Sequence, residues 1–192
     1  MRKPLISEDI LDEYFYDDGR DYKMSEVLQD NRQSFASVNK WLYLGADDRD
    51  SNFAKVGITE GNLASRSYSS ANPRYYLFCA FKFKSNISKE DMEFVENDIL
   101  LKLDNRWCDR YGRSKRLRHY ESNVLSECFE DVDFVDFYKD LHCLIYTYHR
   151  DKFEISGYQA NEFDESEVEF IYCIFNKKLP KKENVYIEMI LQ

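Results

Sequence analysis

Two apolar blocks, Trp41-Leu42-Tyr43-Leu44 and Lys55-Val56-Gly57-Ile58-Thr59, flank a polar stretch rich in Asp and Asn. β-Branched and aromatic runs bounded by Gly, Asp, Asn and Ser predict the two strands of a hairpin over 41–59. A third block, Tyr75 to Phe83, is apolar almost throughout, as expected of a central strand covered on both faces. Gly57 is out of place in a strand, where glycine marks a bulge or the close approach of another backbone or a ligand. Residues 60–71 are polar, with Leu63, Ala64 and Tyr68 as inward positions, and predict a short helix that Asn72-Pro73 ends.

Helical spacing governs the next segment. Ser88 with Asp91 three positions on resembles a capping box and starts a helix running to about Asp104. Its apolar positions are Phe94, Val95, Ile99, Leu101 and Leu103, and Glu93 and Glu96 share a face. Residues 105–120 predict a loop or short helix. Upstream, residues 5–16 carry apolar positions at helical spacing, and a second short helix is expected from Ser25 to about Phe35. Downstream, the alternating acid and apolar positions of DVDFVDFYKDLHCL predict a helix. HCLIYTYHR, EFIYCIFNKKL and NVYIEMIL predict three strands, or two strands and a terminal extension. The expected architecture is α/β (α+β), with a small mixed or antiparallel central sheet flanked by helices. An acidic helical extension (1–37) precedes the main domain (38–130). A β-rich C-terminal α/β extension (131–192) packs on that domain, extending its sheet or adding a second layer.

Composition narrows the function classes. The chain has 192 residues, enough for one domain or one domain with an appendage. No apolar run approaches the length of a membrane span, and the N-terminus lacks the apolar region of a signal peptide. The five cysteines include no C-x-x-C pair. Free thiols in a cytoplasm are therefore expected, and a zinc site is not. The formal net charge is -9, which opposes binding of nucleic acid through bulk charge. Between residues 102 and 118, however, Lys102, Arg106, Arg110, Arg113, Lys115, Arg116 and Arg118 face only Asp104 and Asp109. So dense an island of one sign reads as an interaction surface or as a solvated segment with local ion pairs. Arg113, Lys115, Arg116, Arg118 and the neighbouring His119 are the candidate substrate-binding residues there.

WLYL, then KVGIT, then Arg66 resembles the GIY-YIG nuclease superfamily, in particular the phage orf172-like branch, whose second motif reads K-I-G-I-T. VENDILLKL (95–103) resembles the family helix bearing the metal-binding glutamate. SECF (126–129) resembles its closing motif, with Cys128 where tryptophan is usual. The resemblance spans about residues 38–130. It implies a phosphodiester hydrolase of phage or mobile-element type acting on DNA, expected to be double-stranded, with one Mg²⁺ or Mn²⁺ held by Glu96, in the cytoplasm of a bacterial host if phage-encoded. Tyr43, Lys55, Arg66 and Glu96 would be catalytic, and Gly57 would let the substrate backbone approach. Such chemistry needs an activated water, a cation to steady charge on the phosphate, and an arginine fork matched to it. Lys55 beside Tyr43 would favour the phenolate and make it a better base.

Blander roles stand beside each of these. Tyr43 could be a half-buried sheet residue, Lys55 a solvent-facing charge, Arg66 the ion-pair partner of Glu60, and Glu96 one member of a solvated face with Glu93. A scaffold of this fold that has lost catalysis and binds a host protein through its acidic surface is the alternative function.

Overall fold

A computed structural model describes residues 39–61, 63, 66, 72–159 and 168–191. The helices expected over 5–16 and 25–35, and most of 60–71, lie outside the described residues; Leu63 and Arg66 are helical. The hairpin forms as its pattern predicts. β1 (Lys40–Asp47) and β2 (Ala54–Glu60) pair antiparallel, with Tyr43 opposite Gly57 and Gly45 opposite Lys55. The acidic turn between them is built from side-chain-to-backbone bonds. Asp47 accepts from the Arg49 N–H at 2.8 Å and Asp50 from the Asn52 N–H at 2.9 Å, which is why short polar residues cluster there.

β3 (Tyr75–Lys82) pairs with the other edge of β1, and β8 (Cys173–Phe175) pairs with β3. On the far side, β5 (Leu125–Phe129) meets β2 only at Ala54 and Lys55, and β4 (Arg116–Arg118) pairs with β5. The result is one antiparallel six-stranded sheet in the order β4-β5-β2-β1-β3-β8. β6 (Ile155–Tyr158) and β7 (Val168–Ile171) form a separate two-stranded ribbon.

Three helices cover one face. α1 (Lys89–Arg106) starts at Ser88, whose hydroxyl accepts from the Asp91 N–H at 3.0 Å, the capping expected from the sequence. Its buried residues are Met92, Val95, Ile99, Leu100 and Leu103, while Phe94 and Leu101 face solvent. α2 (Phe134–His149) is capped by Asp133 and α3 (Glu183–Leu191) closes the layer. Leu42, Leu44, Val56, Cys79 and Phe81 share a core with these helices, whereas Trp41, Tyr43, Tyr75, Leu77 and Ala80 form a smaller aromatic cluster on the opposite face. No helix among the described residues is long and apolar enough to cross a membrane.

The C-terminal third corrects the expected strands. HCLIYTYHR continues α2, and NVYIEMIL is α3. Their aromatic and β-branched content favours strands locally, but Phe137, Tyr138, Leu141, Leu144 and Ile145 are buried at helical spacing with no turn residue among them. EFIYCIFNKKL holds two short strands, β7 and β8, separated at Tyr172. Residues 131–192 therefore add helices to the second layer as well as one strand to the main sheet. Within 105–120, where a loop or helix was expected, Cys108 and Ser114 form a bridge and β4 follows.

One irregularity decides which side chains reach the aromatic face. The β1–β3 register shifts between Leu44 and Gly45, passing over Phe78. This bulge lets Phe78 join Cys79 and Phe81 in the helical core and turns Tyr75 and Leu77 to the opposite face. There the tyrosine rings lie across glycines of the next strand. A Cβ on Gly57 would meet Tyr43 Oη at 2.5 Å and Cζ at 2.6 Å, and one on Gly45 would meet Tyr75 Cζ at 2.5 Å. Gly57→Ala should thus cost about 1–3 kcal/mol by overpacking. Most of that cost should vanish in a Tyr43→Ala background. Urea melts of wild type, both single variants and the double variant measure the coupling, and an equal cost in both backgrounds would show that the ring is not its source.

Candidate functional site

β2 is the meeting point. Tyr43, from β1, lies over Gly57 with 4% of its surface exposed. The space above Gly57 that the sequence reading reserved for substrate backbone is therefore filled by the protein's own phenol ring. Burial, followed by the charge of Glu127, raises the Tyr43 hydroxyl well above its ordinary range, and the Arg66 cation only partly opposes this. Lys55 does not play the activating part expected of it. Its ammonium pairs with Glu127 Oε2 at 3.4 Å and lies 5.8 Å from the centre of the Tyr75 ring. Tyr43 is thus a buried, protonated phenol.

Arg66 is exposed and donates from Nε to Thr59 Oγ1 at 3.0 Å, a hydroxyl buried on β2. Thr59, the last residue of KVGIT, thus anchors the arginine to the strand that carries Lys55. Glu96 arrives from α1. Beyond Lys55 no strand among the described residues pairs with the outer edge of β2, and the Ile58 N–H on this edge donates to Glu96 Oε1 at 3.0 Å. That bond supplies the acceptor an edge amide needs and fixes the carboxylate at the strand. Burial, then the nearby charge of Glu127, pushes the Glu96 carboxyl up to about 7; the Ile58 N–H and Lys55 pull it down by less. Glu93 lies exposed one turn away, paired with Lys89 at 3.7 Å. Of the two glutamates, Glu96 is the one held at the β2 edge.

Tyr43, Lys55, Arg66 and Glu96, drawn from separate motifs, are linked through two of their number: Arg66 and Glu96 act electrostatically on Tyr43, and Lys55 acts on Glu96. Two further residues belong with them. Glu127, on β5, acts on Tyr43, Tyr75, Glu96 and Cys128 as well as pairing with Lys55. It stands inside SECF, and its place two residues before buried Phe129 was the available signal. Tyr75, on β3, reaches over Gly45 toward β2. Cys128 faces the site beside Lys55, its thiol raised mainly by burial.

The basic island flanks this cluster without joining it. Arg113 pairs with Asp109 at 2.7 Å. Lys115, Arg116 and Arg118 donate to the backbone carbonyls of Asp131, Ser126 and Asn123 at 2.5, 2.5 and 2.7 Å. His119 is exposed in the β4–β5 turn, where Asn123 takes a φ of 55°. That conformation suits asparagine and gives Asn123 a turn role. Local hydrogen bonds, absent from a count of charges, hold much of the island in place.

Among the described residues no three His, Cys, Asp or Glu side chains are grouped to hold a metal ion. The donor chemistry does fit a hard cation that keeps waters and substrate oxygens: a half-buried carboxylate with a second carboxylate acting on it. The chain matches no protein-family model, no curated protein and no solved structure.

The raised Glu96 carboxyl makes stability depend on pH. In the unfolded chain it ionises near its ordinary 4.5, in the folded chain near 7. Its contribution is therefore fully present below about 4.5 and lost as pH rises to about 7, by on the order of 3 kcal/mol at most. Glu96→Gln cannot ionise and should escape that loss. Urea melts should show the variant gaining on wild type across this window and then levelling off; a difference independent of pH would place Glu96 in water.

Proposed function

We propose that this protein is a metal-dependent endonuclease of GIY-YIG type that hydrolyses DNA phosphodiester bonds, of phage or mobile-element origin. The observation that carries the reading is the gathering of Tyr43, Lys55, Arg66 and Glu96 around β2, with Arg66 and Glu96 acting on Tyr43 and Lys55 on Glu96. These residues lie up to 53 positions apart in sequence, from 43 to 96, and belong to motifs in the order the resemblance implies. An antiparallel hairpin with a helix delivering a carboxylate to its edge is compatible with that fold type.

Arg66 and Lys55 would bind the scissile phosphate, the arginine through its planar fork and the lysine as a point charge. Glu96 would hold Mg²⁺ or Mn²⁺. When bound, the ion supplies charge stabilisation for the phosphate and the leaving oxygen. Tyr43, kept protonated by burial, would act as a hydrogen-bond donor and not as the base. Glu127, whose side chain is 45% exposed beside Lys55, would take the proton from the attacking water. The water oxygen forms the new bond to phosphorus, the P–O bond to the sugar breaks, and the departing oxygen takes a proton from solvent.

The basic β4–β5 hairpin with Arg113, Lys115, Arg116, Arg118 and His119 would flank the duplex. Retention of the whole polar set favours this reading over an inactive scaffold that binds a host protein, which needs none of it.

Incubation with supercoiled plasmid and Mg²⁺ or Mn²⁺, with and without EDTA, tests the activity. Arg66→Ala and Glu96→Gln should each abolish cleavage. Arg66→Ala should cost about 1 kcal/mol or less, as for a surface hydrogen bond. A wild type inert with both metals, or a fully active variant, would sink the assignment.

A further inference from the structure

We propose that the Tyr75 hydroxyl is a substrate-binding group of this site, donating a hydrogen bond to a phosphate oxygen that Lys55 and Arg66 bring in. The inference rests on the nuclease reading above and adds a residue that the motifs do not contain.

Three local features converge on this one hydroxyl. The bulge at Phe78 turns Tyr75 away from the helical core and onto the face that carries Tyr43. Gly45, inside a strand, leaves the room that the tip of the ring occupies, since any Cβ there would collide with it. Among the described residues the hydroxyl also has no hydrogen-bond partner, on a side chain only 8% exposed. A buried hydroxyl without a partner destabilises the fold, whereas phenylalanine would fill the same space at no such cost. Packing alone therefore does not account for the oxygen.

Its surroundings indicate what would satisfy it. The Lys55 ammonium lies over the ring, 5.8 Å from its centre. Tyr43, Cys128, Glu127 and Arg66 act on the phenol electrostatically. Burial is the largest influence and keeps the group protonated, so it meets a ligand as a donor. An oxyanion is the complementary ligand for a protonated donor with a lysine over its ring and an arginine acting on it, Glu127 being the charge it would displace from Lys55. The oxygen is enclosed in this structure, so a phosphate drawn to Lys55 and Arg66 would reach it only as the side chains around it shift.

Tyr75→Phe in the full chain tests this, because it removes the oxygen and keeps the ring. Thermal melting, plasmid cleavage with Mg²⁺, and anisotropy of a fluorescein-labelled DNA duplex in EDTA are compared with wild type. The melting temperature should be unchanged or higher. Cleavage should fall about tenfold to a hundredfold, the effect of one hydrogen bond to a charged group, with weaker duplex binding. Cleavage and binding equal to wild type would make Tyr75 a core residue and overturn the assignment while leaving the nuclease reading intact. A lower melting temperature would reveal a partner within the protein and also overturn it. A wild type that neither binds nor cuts DNA overturns the nuclease reading and this assignment with it.

Discussion

Tyrosine rings laid across glycines of the next strand set the geometry on which the rest of the site depends. Tyr75 of β3 leans over Gly45 of β1, and Tyr43 of β1 leans over Gly57 of β2. Both lean the same way, toward β2 and β5. A side chain at either glycine would push a ring out of the sheet's surface, and the face would lose its layer of aromatics. The opposite face is built differently, by three helices on a core of aliphatic and phenylalanine side chains. β2 is where the two constructions meet. The Tyr43 ring covers its inner half, and β5 leaves its outer edge after Lys55. α1 answers the exposed edge amide of Ile58 with a carboxylate.

Burial and charge then divide the polar groups into two kinds. Tyr43 and Tyr75 are buried phenols whose ionisation is suppressed, so they can only donate or accept hydrogen bonds. Lys55, Arg66 and Glu127 keep contact with solvent and can exchange partners. Glu96 lies between the two kinds. Burial and Glu127 favour its protonated form, and the Ile58 N–H and Lys55 favour the charged one. Near neutral pH the outcome is almost balanced. A cation at this carboxylate would compete with a proton, so its affinity would weaken as the pH falls.

What the sequence made legible follows from how local each cause is. The hairpin, the Ser88 cap and the oddness of Gly57 depend on neighbours a few residues away, and all three are found in the structure. What lies over Gly57 is a cross-strand fact, and sequence alone could not separate ligand from tyrosine ring. Tyr75 was hidden for a sharper reason. A strict period of two, counted back from Phe81, places Tyr75 on the helical face, and only the bulge at Phe78 reverses it. Glu127 sat within a motif already singled out, yet its relation to Lys55 comes from strand pairing some 70 residues apart. The C-terminal helices were misread because aromatic and β-branched content outweighed the helical spacing of the same residues. The folded core settles that conflict through burial.

The acidity of the chain bears differently on binding once the local partners are known. At physiological salt, charges separated by more than about 8 Å are largely screened. A net charge of -9 therefore matters less to a docked phosphate than the few groups beside it. Carbonyl partners orient Lys115, Arg116 and Arg118 without neutralising them, whereas Arg113 and Arg106 pair with carboxylates. Lys115, Arg116 and Arg118 thus remain charged and oriented at the β4–β5 hairpin, one strand from Lys55, beside Glu121, Glu127 and Glu130 of the same stretch. A polyanion would gain little from long-range attraction to such a chain. Its binding energy would come from contact at this edge, where oriented cations and buried donors lie side by side.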